Sequence, residues 1–208
     1  MSAVVVSEDD FYVVGIGASA GGLKALRTLL SGMPPQPGYA CVVMVPRSVE
    51  HGSHLVELLQ PYTQMPVQQV RKTIALKPNH VYVIPPNANL NSIDTHLRLS
   101  ELETHRVERA TVDHFLRTLA STPDGRAVGV ILTGAGTDGS LGIRLIKECG
   151  GLTIAQDPDE AEYDSMPRSA ITTGTVDVVL PLREVPDEIA RYCATRPHLP
   201  RGDDLLHA

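Results

Sequence analysis

The chain has 208 residues, 42% hydrophobic but only 4% aromatic, and a formal net charge of −6. That length suits one domain with a sizeable core, and the aliphatic bias suits an α/β protein with Val/Ile/Leu strands. The acidic balance and the lack of any Lys/Arg run argue against nucleic acid or an anionic membrane surface as the main partner.

Residues 1–10 read as a lead-in, and Phe11 to Val14 as a short buried strand. A Gly-rich turn follows, then Leu23, Leu26, Leu29 and Leu30 at helical spacing, with Gly32 as a stop. Two chemical patterns overlap in the turn. Gly17-Ala-Ser19-Ala-Gly21 fits G-x-S-x-G, in which a sharp turn exposes a serine hydroxyl at the end of a sheet. Gly15-Ile-Gly17-Ala-Ser-Ala20 also fits the relaxed dinucleotide fingerprint G-x-G-x-x-A. In both, glycines admit a ligand to the backbone and a helix start favours negative charge.

Met33 to Gly38 is a Pro-rich loop, and Tyr39 to Val45 a second buried strand closed by Pro46. Arg47 to Gly52 is a polar loop; Ser53 stands at a helix N-cap position before Leu55, Val56, Leu58 and Leu59, and Pro61 ends that helix. This βαβα order predicts a parallel pair. Val67 to Val70 and Val81 to Ile84 read as short strands, Pro85-Pro86-Asn87 as a turn, and Asn89 to Leu99 as an antiparallel hairpin about Asp94-Thr95. Glu101 to Arg109 is charged and expected to be exposed. Val112, Phe115, Leu116 and Leu119 mark a helix, and Ala127 to Leu132 the next strand. It runs into a second Gly-rich loop, Thr133 to Gly139, before a helix whose apolar positions are Leu141, Ile143, Leu145 and Ile146. Leu152 to Ala155 is a strand, Met166 to Ile171 a short helix, Val176 to Leu180 a strand, and Val185 to Cys193 a last helix with Pro186 in its first turn. The polar tail from Arg196 reads as a frayed end or a linker. The fold expected is a largely parallel sheet with helices on both faces, its ligands lying beyond the carboxyl ends of the strands.

Ser19 has a plain explanation, since a tight glycine turn needs a small residue. Asp138 adds weight to a catalytic one, because a carboxylate in an otherwise uncharged Gly-rich loop needs a partner. Asp138 could equally cap the helix starting at Gly139. A base is needed between the two, at the end of the second strand, and Pro46-Arg47-Ser48 stands there. His51 and His54 lie further along the same stretch, and the remaining histidines have no metal spacing. Cys41, Cys149 and Cys193 are scattered without C-x-x-C and read as buried, reduced thiols. With no signal peptide and no apolar run long enough to span a bilayer, a cytoplasmic protein without membrane insertion is expected.

Four stretches carry a resemblance: 14–22 (VGIGASAGG), 81–87 (VYVIPPN), 127–139 (AVGVILTGAGTDG) and 161–171 (AEYDSMPRSAI). Together, and in this order, they resemble the catalytic domain of the chemotaxis protein-glutamate methylesterases, the CheB family, from about Val13 to Tyr192. The resemblance implies an αβα sandwich around a mainly parallel sheet with a small antiparallel addition. It implies a cofactor-free Ser-His-Asp esterase that hydrolyses receptor glutamate methyl esters to glutamate and methanol. Ser19 matches the nucleophile and Asp138 the triad aspartate, while Gly17, Ala20, Gly21, Gly136 and Met166 fall on segments expected to border the cleft. The implied partner is the cytoplasmic region of methyl-accepting chemoreceptors or a related signalling protein.

The family's histidine belongs to a Gln-His pair ending the second strand. An ungapped alignment through Leu55 to Leu59 sets Val45-Pro46 on that pair, and proline cannot act as a base. The expectation is a homologue with impaired or lost hydrolysis. The alternative is an active esterase using a relocated base, His51. A reading of another class, an NADP-binding domain, would use Gly15, Gly17, Ala20 and Arg47. The whole chain reads as one such domain, with no receiver domain before Phe11; it is expected to stand alone or to belong to a larger fusion with receiver or methyltransferase modules.

Overall fold

The computed structural model describes residues 11–45, 54–85, 88–93, 96–101, 110–122 and 125–195. β1 (Val13–Gly17) lies at the centre of a seven-stranded sheet, buried along its length. It pairs in parallel with β2 (Ala40–Met44) on one side and β8 (Ala127–Ile131) on the other. Outside β2 lie β5 (Val81–Val83) and β3 (Val67–Gln69); outside β8 lie β9 (Leu152–Gln156) and β10 (Val178–Leu180), again all parallel. A separate three-stranded antiparallel sheet joins β4 (Ile74–Ala75), β7 (His96–Glu101) and β6 (Ala88–Ile93). The hairpin expected at Asn89 to Leu99 is therefore present; β4, only two residues long, is too short for any periodicity to reveal.

Helices cover both faces of the large sheet, and the period-two alternation of the strands decides which side chain meets which helix. Val14, Ile16, Cys41, Val43, Val128 and Val130 form one core with α1 (Gly22–Gly32), α2 (Leu55–Leu59) and α6 (Val185–Thr195). Val13, Val42, Met44 and Ile131 form the other with α3 (Thr111–Leu119), α4 (Ser140–Glu148) and α5 (Ser165–Thr172). The second core also contains Leu90 and Leu97 of the small sheet. On α3, Val112, Phe115, Leu116 and Leu119 are all fully buried. At roughly 1.5–3 kcal/mol for each such side chain, that stripe outweighs the weak helix propensity of a nine-residue segment.

Several expectations need correction. The first strand continues to Gly17, so two glycines assigned to the turn lie within the sheet. α2 does not end at Pro61; it passes into a 3-10 turn, Gln60–Tyr62, which accommodates the proline near its start. Leu141 is 61% exposed, because it lies on the outer side of α4 while Ile143 and Ile146 face the sheet. Of the cysteines only Cys41 is buried; Cys193 is partly covered and Cys149 is exposed at the end of α4. Burial nevertheless pushes the Cys193 thiol up to about 12, and Cys41 higher still, so both stay protonated and unreactive. The lead-in, the charged stretch 102–109 and the polar tail lie outside the described residues.

Candidate active site

β1 and β8 run in register, Gly17 beside Ile131, so the segments that follow them emerge at the same rim of the sheet. Ser19 is in the first and Asp138 in the second. The Ser19 N–H donates to the Thr133 carbonyl at 3.0 Å, and the Ser19 carbonyl accepts from the Gly22 N–H at 2.9 Å. Gly21 completes the turn at φ 73°, a conformation glycine adopts without strain. The two corners are therefore stitched together by the backbone.

Gly134 sets the side wall. A Cβ added there would stand 2.9 Å from the Ser19 Cβ and 2.1 Å from the Met166 Sδ, so only glycine lets the three meet. The Met166 N–H donates to the Gly134 carbonyl at 3.0 Å, and the thioether is fully buried. Ser19 itself is only half-buried. Ala20 follows it, and among the described residues its N–H has no acceptor. An amide one residue after a serine at a helix start is where an oxyanion donor stands in G-x-S-x-G turns. Gly136 is exposed at φ 91° with open space about it. Gly17, in contrast, faces away from the crevice: a Cβ there would lie 2.3 Å from Val112 Cγ1 of α3. Gly15 meets Leu116 and Leu119 in the same way, at 2.7 and 2.9 Å. Both glycines of the dinucleotide fingerprint admit a helix, and the fingerprint loses its ligand role. Nothing in the fold supports the NADP reading, and Arg47 lies outside the described residues.

Asp138 does cap a helix, but it is α3 and not the one that follows it. Its carboxylate accepts from the Val112 N–H at 3.1 Å and the Asp113 N–H at 2.9 Å. Asp113 returns the arrangement, its carboxylate accepting the Gly142 N–H of α4 at 2.8 Å. Two helices thus exchange caps, each N-terminus held by an aspartate from the other's segment. Burial pushes the Asp138 carboxyl above the ordinary aspartate range and the neighbouring Asp113 charge adds to this, against the opposing donors of Asp113, Val112 and Gly139. Burial likewise raises Asp113.

No described imidazole links serine to aspartate. His54 pairs with Glu57, His80 with the Pro78 carbonyl and His114 with Asn91, while His96 is exposed on β7. Pro46 and His51 lie outside the described residues. Lys147 and Glu148, left without partners by the sequence, pair with Asp177 and Arg144 respectively, away from the crevice. No cluster of three metal-ligating side chains occurs among the described residues, and no described helix is long and apolar enough to cross a membrane. Sequence reasoning missed Thr133, Gln156 and Tyr163, which hold the floor of the site. The only available signal was a threonine at the end of an apolar strand, where a buried hydroxyl must find partners.

The profile described as CheB methylesterase matches residues 14–189. A relative from Leptospira interrogans is 33% identical over 88% of this chain, which spans 95% of it. The Geobacter sulfurreducens protein-glutamate methylesterase/protein-glutamine glutaminase 1 is 34% identical over 87% of this chain, which spans only 52% of that protein. Among solved structures, the Thermotoga maritima CheB methylesterase catalytic domain superposes with a TM-score of 0.80 at 26% identity, covering 88% of this chain and 99% of that one.

Proposed function

This chain belongs to the CheB methylesterase family, and from that premise we propose that it is a protein-glutamate methylesterase homologue with impaired hydrolysis. In the full reaction the Ser19 Oγ attacks the ester carbonyl and its proton passes to a base. The negative charge gathers on the carbonyl oxygen, within reach of the Ala20 N–H. Methanol leaves with the proton, and water then releases glutamate from the acyl-serine. Asp138 takes the part of the residue that orients the base.

The observation that carries the reading is Pro46 at the position of the base. A serine alcohol at neutral pH is a poor nucleophile until something accepts its proton. In the serine-protease template, loss of the serine or the histidine costs roughly 10⁶ in turnover and leaves about 10³–10⁴ over water from binding and the oxyanion donors. The geometry supports the same reading: both Asp138 oxygens are turned to the α3 amides, and no described histidine reaches them. What remains is a cleft able to bind a receptor glutamate or its ester without processing it quickly. The proposed partner is the cytoplasmic part of a methyl-accepting chemoreceptor or a related signalling protein. The proposed setting is chemotaxis-type signalling in the cytoplasm, with or without fused receiver or methyltransferase modules.

The test is the Pro46→His variant assayed for methanol release from a protein methylated on glutamate. Gain of hydrolysis in that variant supports the reading. Hydrolysis by the unaltered chain that disappears in His51→Ala would transfer the base to His51 and refute it.

A further inference from the structure

Thr133 is 2% exposed, and every polar atom it owns is engaged. Its N–H donates to Gln156 Oε1 at 2.8 Å, and its carbonyl accepts the Ser19 N–H at 3.0 Å. Its hydroxyl oxygen accepts the Tyr163 N–H at 2.9 Å, and its single proton is shared between the Ala20 and Tyr163 carbonyls, each at 3.2 Å. Tyr163 is fastened a second time, its carbonyl accepting the Gly134 N–H at 2.9 Å. Glu162, beside it, lies along Gly21, where a Cβ would meet Glu162 Cβ at 3.1 Å and Thr133 Oγ1 at 3.2 Å. One hydroxyl therefore ties together three segments distant in sequence: the Ser19 turn, the end of β8 and the segment before α5.

We propose that Thr133 is the positioning residue of the Ser19 turn, fixing the serine through the Ala20 carbonyl and through the clamped 162–163 segment. This rests on Ser19 being the reacting hydroxyl. A backbone carbonyl alone would hold the Ser19 amide whatever residue stood at 133. Only the hydroxyl binds the carbonyl of the next peptide, and that peptide orients the Ala20–Gly21 bond and, with it, the neighbouring amides. Any threonine could satisfy a buried amide such as that of Tyr163; what marks this one is that both sides of the nucleophile turn end on it.

The experiment compares the full chain with Thr133→Val, which keeps the shape and removes the hydroxyl, and with Thr133→Ser, which restores it. Two quantities are read at a temperature well below each variant's unfolding midpoint. The first is amide hydrogen exchange by NMR at Ser19 and Gly22, with Gly15 and Ile16 of β1 as internal reference. The second is the rate of Ser19 modification by a fluorophosphonate, followed by intact mass against a Ser19→Ala control. Thr133→Val should raise exchange at Ser19 and Gly22 about tenfold with β1 unchanged, as expected of local opening. It should slow Ser19 modification by about 10-fold or more, as for a misplaced reacting group. Thr133→Ser should stay close to the unaltered chain on both. Unchanged exchange at Ser19 and Gly22, or a rise shared equally by β1, overturns the proposal. If Ser19 is not modified even in the unaltered chain, the nucleophile assignment falls, and the exchange measurement alone decides the positioning role.

Discussion

Asp138 and Asp113 are two acids in one small volume, and their environment makes opposite demands on them. Each accepts backbone N–H groups that favour the charged form, yet burial and mutual repulsion raise both carboxyls above the ordinary aspartate range. The native state then holds protons that the unfolded chain has already released. Stability should therefore fall as pH rises from the ordinary aspartate range through the raised native values. Asp113→Asn keeps an acceptor for the Gly142 amide and removes one charge. The Asp138 titration midpoint, followed by carboxyl ¹³C NMR, should move down and the pH slope of stability should shrink; an unmoved midpoint would show that the two groups do not sense each other. Asp138→Ala removes the α3 cap and should destabilise the fold by about 0.5–2 kcal/mol in urea titrations. Asp138→Asn, which still offers an oxygen, should lose less. Equal stability of Asp138→Ala and the unaltered chain would mean the cap contributes nothing.

At the scale of elements, the close approach of α3 to β1 is made possible by glycine. Gly15 and Gly17 stand under Leu116, Leu119 and Val112, with no room for a methyl group. The neighbours differ in stiffness. At Gly15 the obstructing atoms are the ends of two leucines, which can turn aside. At Gly17 the obstruction is a γ-methyl of β-branched Val112, which has little freedom in a helix. Gly17→Ala should cost more stability than Gly15→Ala, within the roughly 1–3 kcal/mol typical of overpacking. Thermal unfolding of both variants tests the order, and a reversed order would show that α3 shifts as a body. This is also where sequence reading met its limit. The strand-turn-helix around Ser19, the hairpin and the α3 stripe were all legible, because apolar periodicity and glycine placement report local geometry. The direction in which Gly17 faces was not, since a glycine carries no side chain to betray which neighbour fills its place. Nor was the partner of Asp138: capping the following helix is a local matter, whereas capping α3 depends on how two helices pack. Thr133 escaped notice for the same reason, as its three partners lie on segments far apart in the chain.

Across the whole molecule, a seven-stranded parallel sheet brings the ends of β1 and β8 to one rim, and the Thr133 and Gly134 contacts close the two corners on each other. The architecture is that of a hydrolase family, with its serine, its wall of glycine and methionine, and its aspartate in place. The described residues supply no proton acceptor between them. The most direct measurement is methanol release from a glutamate-methylated receptor fragment by the unaltered chain, Pro46→His, and Pro46→His combined with Ser19→Ala. Impaired hydrolysis predicts little release by the unaltered chain, a clear gain with Pro46→His, and loss of that gain when Ser19 is removed. Rapid release by the unaltered chain, abolished by Ser19→Ala and indifferent to Pro46→His, would contradict it.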